Sequence, residues 1–550
     1  MSHGSLTLPK SYASVPMKRV RDPSSGKSSV TGGDLGRVWS AEERPRMQTP
    51  TNARDSLKAL ADELLRDQRL ILVSNRGPME YHVASGGELQ ARRGSGGVVT
   101  ALSGLTNHVD FTWIASAMSE GDRRAARANE GRAVPSPLPG QRVSVRFINT
   151  PRRAYHKHYN IICNPLLWFI QHYMWSSPYT PRVDAAVYDA WENGYVHVNR
   201  EFADAVVDEA AQTDARPLVM VHDYQLYLVP GMVREQLPHA RIHEFVHIPW
   251  PTASYWELLP AMIRTAICDS LCQADIVGFQ APRDVRSFLG SCDAFLDGAV
   301  VDRVASCVHY RGRTTLVRCY PISIDVDEVR DIADSPRADE YEQRLTPLLG
   351  KQTIVRVDRA EPSKNIVRGF AAYETLLDRR PDLRGNVRFL AFLVPSRTHI
   401  RQYQRYVEEV DTAIRRINDR FGTDDWTPIQ VFYENNYTQA MAGMRLYDVL
   451  LVNAVIDGMN LVAKEGPIVN RRDGVLILSE SAGAYEQLRV GALPVAPADV
   501  EGAARALDEA LSMPPEERKR RADLMRDCIE REDITDWLRR QLLDLDALDN

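Results

Sequence analysis

Residues 448–465 decide the fold. An apolar run, Asp448-Val-Leu-Leu-Val-Asn-Ala-Val455, is followed after Ile456 by Asp457-Gly-Met-Asn-Leu-Val-Ala-Lys-Glu465. The run is typical of a strand buried in a parallel sheet, and a helix-compatible stretch follows it. A strand, a turn with glycine and a helix N-terminus together suit an anion, because the first helical N–H groups lack partners and the helix dipole is positive there. An ordinary strand–turn–helix has the same pattern, so the rest of the chain must decide.

Apolar strands alternate with amphipathic helical stretches on both sides of this segment. Strands are predicted at residues 69–74, 218–222, 242–247, 276–279, 353–357, 387–394, 429–433, 449–452 and 475–479. Strands separated by helices imply parallel sheets covered by helices on both faces. We therefore predict an α/β fold of two doubly wound sheets, with the boundary near residue 326. The carboxyl ends of their strands would form the ligand-binding edges.

The predicted organisation has four parts. Residues 1–55 are rich in Ser, Gly, Pro, Arg and Lys and should form a disordered tail. The first domain covers 56–325, the second 326–530, and a last segment covers 531–550. Helical spacing is already present from Ala53 to Asp67.

Composition excludes several classes of protein. The chain has 550 residues, 44% hydrophobic and 26% charged, with a formal net charge of −5. That balance gives no field that attracts nucleic acid or an acidic membrane, and we expect neither as a partner. We expect a cytoplasmic protein, because the sequence lacks a signal-peptide pattern and its seven cysteines form no evident framework. Walker and Gly-x-Gly-x-x-Gly motifs do not occur.

Polar residues follow the predicted strands of the first half. These clusters are Ser74-Asn-Arg76, His222-Asp-Tyr224 and His247-Ile-Pro-Trp-Pro251, together with a glycine-rich loop, Gly94-Ser-Gly-Gly97. Such a loop exposes backbone N–H groups to a phosphate, although a plain turn would look the same. Each histidine could equally be structural. Three polar strand ends in one half nevertheless favour a site, because buried charge is costly unless it is paired or used.

Cations follow two strands of the second half. The loop Arg359-Ala-Glu-Pro-Ser-Lys364 carries two of them near the expected start of a helix, and Ser396-Arg397 adds a third. Fixed cations beside a helix N-terminus suit a diphosphate, whose negative charge grows as it departs. A solvated surface loop is the alternative interpretation.

Ten separated motifs resemble those of the trehalose-6-phosphate synthase family, in the same order and from about residue 66 to the C-terminus. They are Ser74-Asn-Arg76, Gly96-Gly97, Tyr159 with Trp168, His222-Asp-Tyr224, His247-Ile-Pro249, Gly278-Phe-Gln280, Arg359 with Lys364, Ser396-Arg397, Trp426-Thr-Pro428 and Asp457–Glu465. The resemblance implies a GT-B fold, with two Rossmann-like domains facing each other across a cleft. It also implies glycosyl transfer with retention, no metal or other cofactor, and a terminal helix at 531–550 that packs back on the first domain.

The resemblance also implies roles for individual residues. The sugar-phosphate acceptor would be bound by Arg76, Tyr159, Trp168, Asp223 and Arg397. The nucleotide-sugar donor would be bound by Gly96, Gly97, His247, Arg359, Lys364, Asp457, Gly458, Met459, Asn460, Leu461 and Glu465. The catalytic residues would be Asp223, His247, Arg359 and Lys364. If retention instead used a carboxylate nucleophile, Asp223 would be the candidate.

Several residues depart from the family pattern. The loop Arg359-Ala-Glu-Pro-Ser-Lys-Asn365 replaces the usual Arg-Leu-Asp-Tyr-x-Lys-Gly, Ile456 stands where arginine is common, and Ser323 where glycine is usual. The Pro-x-Lys-Asn loop and Trp250 resemble the valienyl pseudoglycosyltransferases, whereas Tyr159 and Met459 resemble the synthases. The leading hypothesis is transfer of glucose from UDP-glucose to glucose 6-phosphate. Glucosylglycerol-phosphate synthesis, valienyl transfer and a non-catalytic sugar-phosphate sensor are the alternatives, and a homo-oligomer is left open.

Overall fold

The computed structural model describes residues 53–94, 110–138, 140–174, 182–398 and 400–549. The predicted glycine-rich contacts, Gly96 and Gly97, lie outside these residues, as does the predicted tail up to residue 52. The first described helix is Ala53–Leu64. The assignment of residues 53–55 to a disordered tail was therefore wrong, and the helical spacing that begins at Ala53 gave the better boundary.

The first sheet has ten strands, in the order β10-β11-β12-β9-β8-β7-β1-β4-β6-β5. Its central strands pair in parallel, whereas β5, β10 and β11 pair antiparallel at the two edges. The strands are β1 (Gln68–Ser74), β4 (Phe111–Ser116), β5 (Val134–Pro135), β6 (Val143–Ile148), β7 (Arg216–His222), β8 (Arg241–Phe245), β9 (Ile276–Phe279), β10 (Val300–Asp302), β11 (Cys307–Tyr310) and β12 (Arg313–Cys319). A separate hairpin joins β2 (Met79–Val83) to β3 (Leu89–Arg93).

The second sheet has six strands, in the order β15-β14-β13-β16-β17-β18, and every neighbouring pair is parallel. The strands are β13 (Gln352–Arg359), β14 (Val387–Val394), β15 (Ile429–Tyr433), β16 (Val449–Val452), β17 (Val475–Ser479) and β18 (Leu493–Val495). β14, β16 and β17 consist largely of buried apolar residues, as expected when helices cover both faces of a sheet.

Helices connect the strands of both sheets. The α-helices are Ala53–Leu64, Glu120–Ala128, Arg152–His156, Trp168–Gln171, Ala185–Ala190, His197–Ala210, Val229–Gln236, Ala253–Trp256, Ala261–Leu271, Pro282–Phe295, Val326–Ala333, Pro336–Leu345, Ile366–Arg379, Arg401–Phe421, Tyr437–Arg445, Val462–Val469, Tyr485–Leu488, Val500–Ser512, Pro515–Arg531 and Ile534–Asp546. Lys157–Leu167 and Trp191–Val196 are π-helical, and Thr346–Leu348, Pro362–Lys364, Pro381–Leu383 and Ala547–Asp549 are 3₁₀ turns. Among the residues that the structure describes, no helix is long and apolar enough to cross a membrane.

All nine strands predicted from the sequence are present, but two expectations need correction. The strand predicted at 242–247 ends at Phe245, so His247 lies in the following loop. The first sheet is not wholly parallel, because short and partly exposed strands extend its edges. Such edge strands carry little apolar periodicity and are hard to detect in a sequence.

The terminal helix Ile534–Asp546 packs against the first sheet and against the helix Ala53–Leu64. The Trp537 ring, 2% exposed, meets the Phe245 ring edge-on at 5.2 Å. The Tyr320 hydroxyl donates to Asp544 at 2.5 Å. Phe245 is the last residue of β8, and His247 lies in the loop that follows it. The terminal helix therefore packs against the end of the strand that leads into this predicted site loop.

We expect Trp537→Ala to lower the free energy of unfolding by about 3–5 kcal/mol, the usual cost of truncating a buried Trp. Leu543→Ala, on the exposed side of the same helix, should change it by about 0.5 kcal/mol or less. Urea denaturation followed by circular dichroism measures both variants. Equal effects would contradict the packing described for Trp537.

Candidate active site

A cavity of about 510 Å³ opens between the carboxyl ends of the two sheets. Residues at the ends of β1 and β7 line it from one side, and residues at the ends of β13, β14 and β15 line it from the other. Six of the predicted substrate-binding residues line this cavity: Arg76, Tyr159, Trp168, Asp223, Arg359 and Arg397. The strand ends of both sheets therefore meet at one place, where open α/β sheets bind their ligands.

Arg397 is held by aromatic residues from both halves of the molecule. Its guanidinium carbon lies 5.2 Å from the ring centre of Trp168, in the first half, and 5.2 Å from that of Tyr403, in the second. It also donates to the Tyr403 hydroxyl at 2.8 Å. Cation–π contacts of this kind fix a guanidinium while leaving some of its N–H groups free. Arg397 therefore presents a fixed positive charge to the cavity.

Arg359 and Arg397 both pair with the buried carboxylate of Glu361, each at 3.0 Å. The Arg359 side chain is 51% exposed and lines the cavity, whereas that of Arg397 is 12% exposed. The two cations predicted to hold opposite substrates thus share one counter-ion. Sequence reasoning gave Glu361 no role.

Lys364 forms an ion pair with Asp457, across the ends of β13 and β16. Burial opposes the charged form of Asp457, but the ammonium of Lys364 holds the pKa of this carboxyl below its usual range. The Asn460 amide donates to the same carboxylate oxygen at 3.1 Å. The loop that the sequence identified as an anion site therefore has a cation at its start, supplied by a neighbouring strand.

Asp223 lies at the end of β7 with φ = 78°, a conformation that is strained for a residue other than glycine. Its carboxylate accepts from the backbone N–H of His247 at 3.1 Å. Burial raises the pKa of Asp223 to about 7. Burial also lowers the pKa of His247 to about 3, and this ring lies 3.1 Å from that of His222. Near neutral pH the site holds an uncharged His247 beside a carboxyl that can still change its charge.

Glu465 and Met459 lie further along the 457–465 segment. Burial raises the pKa of Glu465 to about 7, and its carboxylate accepts from the Tyr437 hydroxyl at 2.9 Å. The Met459 side chain is buried in a core cluster that includes residues of both halves, and the partly buried Leu461 packs against it. Any ligand contact of Met459 would therefore come mainly from its backbone.

Several contacts join the 457–465 segment to the first half of the molecule, and two of them lie at its start. The Arg283 guanidinium, at the start of the helix Pro282–Phe295, donates to the carbonyl of Asp457 at 3.1 Å and to that of Ser481 at 2.5 Å. A Cβ on Gly458 would lie 2.1 Å from the carbonyl oxygen of His247, so only glycine permits this approach. The start of the 457–465 segment is therefore held from across the cleft.

Sequence reasoning identified most of the charged groups in the cleft but missed three of their partners. It gave no role to Glu361, Arg283 or Tyr403. Glu361 belongs to the quoted loop Arg359–Lys364, and its position between two cations was the available signal. Arg283 carried none, because it acts through a contact across the cleft. Tyr403 lies six residues after Arg397, outside every motif that the sequence offered.

Comparisons with known proteins agree with this geometry. The family model of glycosyltransferase family 20 matches residues 68–547. The chain belongs to glycosyltransferase family 20. It is 33% identical over 474 residues to a validamine 7-phosphate valienyltransferase of Streptomyces hygroscopicus subsp. jinggangensis, covering 86% of this chain and 93% of that protein. It is 34% identical over 470 residues to a UDP-forming alpha,alpha-trehalose-phosphate synthase 2 of Aspergillus fumigatus, covering 83% of this chain and 92% of that protein.

A solved structure extends the likeness to three dimensions. The UDP-forming alpha,alpha-trehalose-phosphate synthase of Burkholderia xenovorans, in complex with glucose-6-phosphate, matches with a TM-score of 0.74 and 28% identity. The match covers 87% of this chain and 100% of that chain. The family resemblance and the GT-B fold inferred from the sequence are confirmed. The chain is a glycosyltransferase.

We expect Arg283→Ala to raise KM for the sugar donor by about tenfold or more, since hydrogen bonds from a charged group contribute about 1.5–3 kcal/mol. The substitution removes the hydrogen bonds from Arg283 to the carbonyls of Asp457 and Ser481. It would thereby free the 457–465 segment, which the family resemblance assigns to the donor. KM for the acceptor should stay the same. Arg286→Ala, at an exposed position of the same helix, is the control. An acceptor effect as large as the donor effect would contradict this role.

Proposed function

We propose that this glycosyltransferase moves glucose from UDP-glucose to glucose 6-phosphate with retention at the anomeric carbon, giving trehalose 6-phosphate. The observation that carries the proposal is the single cavity lined by Arg76, Arg359 and Arg397 together with Tyr159 and Asp223. Three cations in one cavity suit two phosphorylated substrates. The Aspergillus relative is named as UDP-forming, and the Burkholderia structure contains glucose-6-phosphate.

The proposed reaction places the donor against the second sheet. Arg359 and Lys364 would bind the donor diphosphate, Asp457 to Leu461 would line the glucose and phosphates, and Glu465 would hold the ribose. A carboxylate of raised pKa that already bonds a tyrosine hydroxyl is suited to accept from ribose hydroxyls. Arg76, Tyr159, Trp168 and Arg397 would bind the acceptor on the opposite side of the cavity.

Bond making and bond breaking would then occur on one face of the sugar. The bond between the anomeric carbon and the diphosphate oxygen breaks, and its electron pair stays on the oxygen. The acceptor hydroxyl oxygen bonds to the anomeric carbon, and its proton passes to the departing phosphate oxygen. Arg359 and Lys364 stabilise the charge that develops there, while Asp223 and the neutral His247 orient the glucosyl ring. These cations take the place of a metal ion, so the proposal includes no cofactor.

The proposal places this reaction in the cytoplasm. All seven cysteines of the sequence are free thiols, six of them buried. Free thiols are usual in proteins of a reducing compartment.

A second candidate is transfer of a nucleotide-activated valienyl group to an amino-cyclitol phosphate. The Streptomyces relative carries that activity in its name. The Pro-x-Lys-Asn loop favours it, and Asn365 fixes that loop by donating to the carbonyls of Asn453 at 2.9 Å and Pro497 at 2.8 Å. Both reactions need the same contacts to a donor diphosphate and to an acceptor phosphate. The site can therefore distinguish them only by the rings of the transferred group and of the acceptor.

A matrix of substrates tests the proposal. Nucleotide release is followed from UDP-, GDP- and ADP-glucose, each paired with glucose 6-phosphate, glycerol 3-phosphate and an amino-cyclitol phosphate, with and without EDTA. We expect the highest kcat/KM with UDP-glucose and glucose 6-phosphate, an unchanged rate in EDTA, and an α,α-linked product by NMR. Turnover with the amino-cyclitol phosphate alone would replace the leading proposal by the second candidate.

The pH dependence tests the proposed role of Asp223. Since the ionised carboxylate is the form that accepts hydrogen bonds from the glucosyl ring it orients, kcat/KM should fall about tenfold per pH unit below 7 and level off above it. The contribution of Asp223 to folding stability has the opposite pH dependence, because it decreases as the pH rises. Folding raises this pKa from 3.8 to about 7, so the stabilising contribution is complete below 3.8 and is lost as the pH rises through 7.

In the Asp223→Asn variant, kcat/KM should no longer fall below pH 7. Its kcat should be about 10²-fold lower or more, the scale for removing one preorganised electrostatic group. Asp297→Asn, in an exposed turn, is the matched control and should keep the wild-type profile. A limb near pH 7 that persists in Asp223→Asn would show that another group titrates.

A further inference from the structure

Glu361 is fully buried, and each of its carboxylate oxygens has two polar partners. Oε1 lies 3.0 Å from Arg359 Nη2 in an ion pair and accepts from the Ser363 hydroxyl at 3.3 Å. Oε2 accepts from Arg397 Nη1 at 3.0 Å and from the Ser396 hydroxyl at 3.3 Å. One carboxylate thus ties together the loops that follow two neighbouring strands, β13 and β14.

These contacts keep Glu361 ionised. Burial alone would raise its pKa, but the positive charges of Arg359, Arg397 and Lys364 outweigh burial and lower this pKa to about 2. A guanidinium and a hydroxyl surround each oxygen, so the carboxylate is already occupied and poorly placed to accept a proton from a substrate. Glu361 is therefore a permanent negative charge with a fixed orientation, and it is not an acid or base for the reaction.

The two arginines keep donors to spare. A guanidinium carries five N–H groups in a rigid plane, and Arg359 and Arg397 each present a single nitrogen to Glu361. Once that nitrogen is held, the direction of the remaining N–H groups is set as well. Both arginines line the cavity, so these N–H groups are available to anionic ligands.

We propose that Glu361 is a positioning residue that holds Arg359 on the donor side and Arg397 on the acceptor side in one fixed relative orientation. The inference rests on the proposed function, which gives these two arginines to the two substrates. Glu361 thereby sets how far apart the departing phosphate and the acceptor lie. Glutamine at this position has only one acceptor oxygen, and its amide nitrogen would point N–H groups at one of the two arginines. That arginine would lose its partner and its fixed orientation.

The test compares Glu361→Gln with Glu374→Gln. Glu374 is a matched control because it also accepts from two arginines, Arg416 at 2.6 Å and Arg420 at 3.1 Å, but on a helix outside the cavity wall. Measurements are kcat and KM with UDP-glucose and glucose 6-phosphate, Kd for UDP and for inorganic pyrophosphate, Tm, and the pH profile of kcat.

Misplaced reacting groups slow the chemical step more than they weaken binding. We expect kcat of Glu361→Gln to fall about 10²-fold, the scale for a misplacement of about 1 Å. Kd for UDP and pyrophosphate should stay within about threefold of wild type, because loss of the negative charge favours anions while the mobile arginine disfavours them. The pH profile should keep its shape, and Tm should match that of Glu374→Gln.

A kcat of Glu361→Gln within about threefold of the control would overturn the inference, since a misplaced cation costs far more than that. So would a fall in activity that only accompanies a much lower Tm, because the residue would then be structural. Failure of the proposed function appears separately, as a wild-type enzyme inactive with UDP-glucose and glucose 6-phosphate. The same comparison of variants then uses the substrate pair that the wild type turns over.

Discussion

Positive charge enclosed in a cleft must be balanced, and this constraint governs the whole site. Arg359 and Arg397 are balanced by Glu361, and Lys364 is balanced by Asp457. Buried ion pairs seldom stabilise a fold, because desolvation of both charges offsets their attraction. A cluster of this size is therefore better explained by what it binds than by what it adds to stability. The proposed function assigns these cations to the phosphate groups of the two substrates.

The fold brings these charges together because its strand ends converge. Parallel strands place their carboxyl ends at one edge, and two such edges face each other here across one cavity. Some backbone strain lies at the same place, since Asp223, Arg397 and Asn460 all have positive φ angles. Strained residues persist only where the surrounding structure holds them. The cores of the two sheets and the terminal helix provide that support.

The sequence predicted what depends on local pattern and missed what depends on long-range contact. Buried runs such as Val387–Val394 are visible as strands, and polar residues directly after them identify the ligand edge. Short edge strands such as Val134–Pro135 carry no comparable signal. The contact of Arg283 with the carbonyl of Asp457 joins residues 174 positions apart, so no motif could reveal it. Family resemblance supplied roles for residues, but not the partners that orient them.

The ion pairs of the free enzyme also explain how a phosphate can enter a partly closed cleft. Lys364 and Arg397 lose most of their water when the protein folds, so a substrate meets them already desolvated and oriented. Arg359 stays half-exposed at the mouth of the cavity. Arg359 and Arg397 can keep Glu361 and offer their other N–H groups, whereas Lys364 has to share Asp457 or release it. Asn460 already donates to that carboxylate, so Asp457 keeps a hydrogen bond if Lys364 turns toward a diphosphate. Binding then replaces one anion by another around the same cation and leaves neither charge unpaired.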